Sequence, residues 1–110
     1  MRDDRLYLVY ILECIERIEA FTVEGEQGFL EDIKTQDAVL RNLHTLSESV
    51  LRISEDLRAR HTEIDWKLIM AFRNVIVHDY LGIDLHEIWD IVLRDLPNLK
   101  DSIRAILNEL

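Results

Sequence analysis

The chain has 110 residues, 48% of them apolar and 32% charged, and carries a formal net charge of −9. That is room for one domain, residues 1–110, with a modest core, and the mixture is that of a soluble globular protein rather than a disordered segment. The acidic balance disfavours a general nucleic-acid coat protein, which would show a basic face, though it leaves room for a small basic site. No stretch approaches the roughly 18 uncharged apolar residues of a membrane span, so no membrane partner is expected. The charged start Met1-Arg2-Asp3-Asp4-Arg5 is followed by no signal-peptide core, which makes the cytoplasm the expected compartment. Cys14 is a lone cysteine, so neither a disulfide framework nor a thiol–metal site is indicated.

Three glycines and one proline predict few turns and long helices. Leu8, Ile11, Leu12, Ile15 and Ile18 recur at 3–4 spacing and predict a first amphipathic helix over about 3–21, with Glu13 and Arg17 as an outer i,i+4 pair. Gly25 and Gly28 suggest a loop or frayed turn, anchored by Phe29, Leu30 and Ile33. A second long helix is expected over about 34–60, with Val39, Leu43, Leu46, Val50, Ile53 and Leu57 as its core stripe. Its other side runs Asp37, Arg41, His44, Glu48, Arg52, Glu55 with alternating sign. That pattern fits a solvated face laced with ion pairs; it also fits Arg41 and Glu48 facing a partner or orienting the next helix. Asp65 can cap a central helix over 66–81, and Gly82 fits its C′ position. Asp84-Leu85-His86-Glu87 resembles a capping box that opens the last helix, which Pro97 is expected to kink or restart. No alternating strand pattern, internal repeat or low-complexity segment occurs. The prediction is an all-α bundle of four main helices.

The central helix carries the chemistry. Trp66, Ile69, Met70, Arg73, Ile76, Val77 and Tyr80 share one stripe, Lys67, Ala71, Asn74 and His78 a second, and Leu68, Phe72 and Val75 an apolar third. Polar groups on a helix this apolar need partners, because a buried unpaired charge costs several kcal/mol. Arg73 and His78 are five residues apart, about 140° around an ideal helix. They do not converge on one small ligand from a single straight helix, whereas a two-fold dimer could bring both to a shared cleft.

Such a pair suits phosphodiester cleavage in RNA. A histidine can take the proton of a 2′-hydroxyl or give one to the leaving 5′-oxygen, and a guanidinium can clamp the phosphate through the transition state. No metal is required. The alternative is that Arg73 and His78 are structural, in a helical dimerisation or binding module. Other chemistry lacks a pattern: His44, His61, His78 and His86 are scattered without the paired Glu-x-x-His of di-metal bundles, and no Gly-rich phosphate loop is present.

Arg73-Asn74-x-x-x-His78-x-Tyr80 resembles the R-x-x-x-x-H-x-Y motif of HEPN-domain toxins of the HepT-like group. The resemblance extends to Asp37-Ala38-Val39-Leu40-Arg41-Asn42-Leu43, to Asp65-Trp66, to Tyr80-Leu81-Gly82-Ile83-Asp84 with Trp89, and to Asp95-Leu96-Pro97, and so covers nearly the whole chain. One difference is that Ser47-Glu48-Ser49 stands where the family often has Gly-Glu-Ala. The resemblance implies a HEPN-type homodimer acting as the toxin of a bacterial or archaeal toxin–antitoxin pair. It implies a metal-independent endoribonuclease, with tRNA as the substrate class, in which Arg73 binds the scissile phosphate, His78 is the acid/base and Asn74 supports them. It also implies an MntA-type minimal nucleotidyltransferase antitoxin that uses ATP and Mg²⁺ to transfer AMP onto Tyr80; this chain itself would hold no cofactor. In the alternative reading the same surface only docks that nucleotidyltransferase.

Overall fold

The order of caps along the chain explains most of the helix boundaries. A computed structural model describes residues 3–78 and 82–110, with the backbone alone at 75–78. Helix α1 (Asp4–Phe21) starts where the Asp3 carboxylate accepts from Leu6 N–H and buries Leu8, Ile11, Cys14, Ile15 and Ile18. Burial raises the Cys14 thiol pKa, as it does for an inert core cysteine. The outer face of α1 is tied to the last helix by Glu19–Lys100 at 2.7 Å and Glu16–Arg104 at 3.5 Å. These inter-helix pairs, rather than one between Glu13 and Arg17, are formed.

The segment expected to be a loop or frayed turn is a short helix, α2 (Gly25–Glu31), which Gly25 enters at φ +82°. What holds it is tertiary. Phe29 is buried against Trp89, ring centroids 5.5 Å apart, and Gln36 donates to the carbonyls of Phe29 and Leu30. Asp32 then caps α3 (Ile33–Leu51), accepting from Lys34 N–H and the Thr35 hydroxyl.

The predicted helix over 34–60 is two helices. It stops at Leu51, and α4 (Glu55–Arg60) begins after Ser54. The cause lies fifty residues upstream: the Asp4 carboxylate accepts from Ser54 N–H (2.9 Å) and from its hydroxyl (2.6 Å). A helix continuing through 54 would need that N–H for its own ladder. Ser54 also caps α4 at Leu57 N–H, while Ile53 and Leu57 remain buried as their periodicity predicts.

Helix α5 (Trp66–His78) opens as expected, with Asp65 accepting from Leu68 N–H. The Trp66 indole N–H reaches the carbonyls of His61 and Arg58, pinning the preceding turn. The remainder of the predicted central helix, 79–81, lies outside the described residues. Helix α6 (Leu85–Asp90) is capped by Asp84, which accepts from His86 and Glu87 N–H.

Pro97 does not break the last helix where it stands. It occupies the first turn of α7 (Leu96–Glu109), where its missing N–H is unneeded. The irregularity falls just before it, as a π-helical turn over Ile91–Asp95 in which Leu96 N–H reaches back to the Ile91 carbonyl.

The architecture is an all-α bundle. Helix α3 packs between α1 and α5, α1 packs on α7, and α2 rests on α3 and α6. None of the described helices is long and apolar enough to cross a membrane.

A cleft of about 200 Å³ opens beside α5 and α7 over Ile69, Phe72 and Leu99, with Asp65 and Asp95 among its lining residues. Burial raises the Asp95 carboxyl above its ordinary range; Arg94 opposes the shift, and Asp90 and Asp65 add to it. A carboxylate whose folded pKa is raised favours the fold only while protonated, so stability is lost as pH rises through that pKa. Asp95→Asn should therefore raise the melting temperature slightly at pH 7, by about a degree or two. The gain should vanish in melts run below the ordinary carboxylate range.

Candidate functional site

Arg73 sits on α5 at a position where the helical period calls for an apolar residue, and α3 meets it with Glu48. Arg73 Nε lies 3.2 Å from Glu48 Oε2, and the two side chains are 42% and 44% exposed. That nitrogen is shut from water, yet it is outside hydrogen-bond alignment with any acceptor among the described residues. The contact is therefore an ion pair of proximity. Since Nε is covered, the exposed portion of Arg73 lies at its other atoms.

The second oxygen of Glu48 lies 3.8 Å from His44 Nε2, one turn earlier on α3. That is too long for a hydrogen bond and becomes an ion pair only when the imidazole is protonated. In the sequence His44 and Glu48 stand only as a single i,i+4 pair. The structure joins them to Arg73 in a chain of three charged or titratable side chains across two helices.

Ser47 and Ser49, where the resembling family often carries Gly and Ala, are buried on either side of Glu48. Their hydroxyls donate within the helix, Ser47 to the His44 carbonyl at 2.8 Å and Ser49 to the Thr45 carbonyl at 3.0 Å. Each hydroxyl is thus satisfied locally.

Asn74 is exposed on α5, so it is a surface amide beside Arg73 and not a buried polar group in need of a partner. Arg41 is exposed on α3, one turn before His44, and has no ion-pair partner among the described residues. His78 closes α5 in the described backbone; its side chain, and all of Tyr80, lie outside the described residues. The five-residue separation from Arg73 to His78 is therefore helical throughout, with an axial rise of about 7.5 Å. Among the described residues no three His, Cys, Asp or Glu side chains gather as a metal site.

A family model, "Ribonuclease HepT-like", matches residues 11–106, a span that contains Arg41, Glu48, Arg73, Asn74, His78 and Tyr80. The chain belongs to the HepT-like ribonuclease family. The "Probable ribonuclease HepT" of Thermococcus cleftensis is 40% identical, over 96% of each chain. "Putative RNase MJ0127" of Methanocaldococcus jannaschii is 36% identical over 99% of this chain and 91% of its own. A third relative, "Gamma-glutamylcyclotransferase and putative RNase MJ0434" of the same organism, is 34% identical over 99% of this chain, which spans half of that protein's length. No solved structure matches the chain. Family membership and these relatives support a ribonuclease, and the all-α bundle is of the HEPN type that the motif led one to expect.

Proposed function

We propose that the chain is a metal-independent endoribonuclease, the toxin of a toxin–antitoxin pair, acting on RNA of the tRNA class. The observation that carries the reading is Arg73. It stands in an apolar helical stripe, anchored at one edge by Glu48 with the rest of its side chain partly open. That is how a guanidinium is placed to grip a phosphate.

In this reading Arg73 holds the scissile phosphate and neutralises the charge that builds on it. His78 moves the proton: it takes one from the 2′-hydroxyl as that oxygen attacks phosphorus, or gives one to the departing 5′-oxygen. The products are a 2′,3′-cyclic phosphate and a free 5′-hydroxyl. Neither step calls for a metal or a cofactor on this chain. Asn74, exposed one residue beyond Arg73, is a surface amide within reach of the substrate backbone. Because Arg73 and His78 diverge by about 140° on α5, the working site combines residues from two copies in a homodimer. Arg41, exposed on the same side of α3 as Glu48, faces the partner or the RNA.

The paired antitoxin is a minimal nucleotidyltransferase. It transfers AMP from ATP, with Mg²⁺, onto the Tyr80 hydroxyl and releases pyrophosphate. The added phosphate competes for the guanidinium of Arg73, and the base blocks the RNA path.

The test is purified protein incubated with tRNA in excess EDTA. The expected result is cleavage that leaves 2′,3′-cyclic phosphate ends. Intact RNA in EDTA, with cleavage only on adding a divalent metal, overturns the metal-independent mechanism. No cleavage under any condition leaves the non-catalytic docking module, which the acidic net charge of −9 favours. For the antitoxin, Tyr80→Phe should escape neutralisation; silencing of that variant as complete as wild type would exclude Tyr80 as the modified group.

A further inference from the structure

We propose that Glu48 is the positioning residue of the site: it aims the Arg73 guanidinium at the scissile phosphate without touching the substrate. This rests on the ribonuclease reading of Arg73. The geometry asks for such a role because Glu48 is otherwise a liability. A polyanion must approach Arg73, and a carboxylate 3.2 Å from Arg73 Nε repels it.

The advantage lies in which edge of the guanidinium is occupied. Arginine offers a planar fork of donors, and a phosphate is gripped bidentately. Glu48 lies against Nε, which is closed to water and out of hydrogen-bond alignment, so the ion pair holds that end of the guanidinium and the exposed portion of the side chain is left to the ligand. Without that hold, a long arginine samples many rotamers, and the cost of ordering it falls on every encounter with substrate. The carboxylate itself is mounted firmly. It projects from α3, which is packed between α1 and α5, and between two buried serines bonded to their own helix. A group delivered by a packed helix is held more precisely than one on a loop. His44, at 3.8 Å from the other oxygen, is too distant to pull Glu48 away while neutral.

A positioning carboxylate near a phosphate site has a signature that a structural ion pair lacks. Removing its charge should relieve repulsion in the ground state and loosen Arg73 in the transition state. Glu48→Gln in the full chain should therefore lower kcat by about 10–100-fold, while binding of an uncleavable 2′-O-methyl RNA stays equal or becomes tighter. Glu48→Asp, with the charge kept one methylene short, should recover part of the rate and keeps the test usable should E48Q fold poorly. A readout independent of activity is the Arg73 Nε–H resonance, identified by its loss in Arg73→Lys. Its hydrogen exchange should be slow in wild type and faster in E48Q.

Unchanged or raised kcat in E48Q, with R73A inactive, overturns the positioning role alone. Equal Nε–H exchange in wild type and E48Q overturns it as well. Full cleavage by R73A, or none by wild type, overturns the ribonuclease reading of Arg73, and this role falls with it.

Discussion

Arginine 73 changed to alanine is expected to lower RNA cleavage by about 10²–10³-fold, the usual cost of removing one preorganised donor from a developing anion. His78→Ala should cost about 10²–10⁴-fold, as for loss of a general acid or base. The double variant should be little worse than the poorer single, because the two groups serve one transition state. R73A leaves Glu48 without its partner, but at 44% exposure that carboxylate keeps its water, so little stability should be lost. The informative experiment is the mixture of the two variants. If each site takes Arg73 from one copy and His78 from the other, an R73A/H78A heterodimer holds one intact site and one doubly damaged site. Random exchange then restores about a quarter of wild-type activity. If both groups act from one chain, mixing restores nothing. Cleavage assays on separate and mixed proteins decide between these outcomes, and full activity in H78A alone would remove His78 from the mechanism.

The main helices were readable because burial imposes a 3–4 repeat, and Leu8 through Ile18 or Val39 through Val50 display it without interruption. What escaped was set by partners remote in sequence. Nothing near Ser54 announces a helix break; the break exists because Asp4 takes Ser54 N–H and hydroxyl together. Two glycines suggested a loop at 25–28, but Phe29 against Trp89 and Gln36 against the α2 carbonyls stabilise a helix there. Pro97 signalled a kink or restart in the last helix, and α7 does start there with the proline in its first turn; the π turn ahead of it had no sequence signal.

The site divides in the same way. Arg73 stood out because it interrupts an apolar stripe, and residue spacing alone argued that Arg73 and His78 diverge. The alternating charges on α3 were visible too, but periodicity cannot say which of them meets α5. Only the packing of α3 on α5 selects Glu48 for Arg73 and leaves Arg41 at the surface. A lone histidine at i,i+4 from a glutamate is common, so spacing does not single out His44. Its interest comes from what lies on the other oxygen of that glutamate. The ribonuclease class rests on family membership, in keeping with the motif around Arg73 and His78.

Leu43→Ala is the stability counterpart of the site variants, and together they separate folding from chemistry. Leu43 is fully buried on α3, the helix that packs against both α1 and α5. Truncating it removes three methyl or methine groups from close-packed surroundings and leaves a cavity that helices on two sides cannot both close. The expected cost is about 2–5 kcal/mol, a large part of the roughly 5–15 kcal/mol that holds a domain of this size. The thermal midpoint should fall by about 10–20 °C, read by circular dichroism. The site should suffer less than the fold. Leu43 and Glu48 are five residues apart on α3, about 140° around the helix axis, so the cavity opens away from the carboxylate that holds Arg73. At a temperature where the variant remains folded, cleavage per molecule should stay within a few-fold of wild type. A melting temperature unchanged by Leu43→Ala would mean that α3 is not the centre of the bundle. A large loss of kcat in folded L43A would mean that the grip of Glu48 on Arg73 depends on core packing from the far side of the same helix.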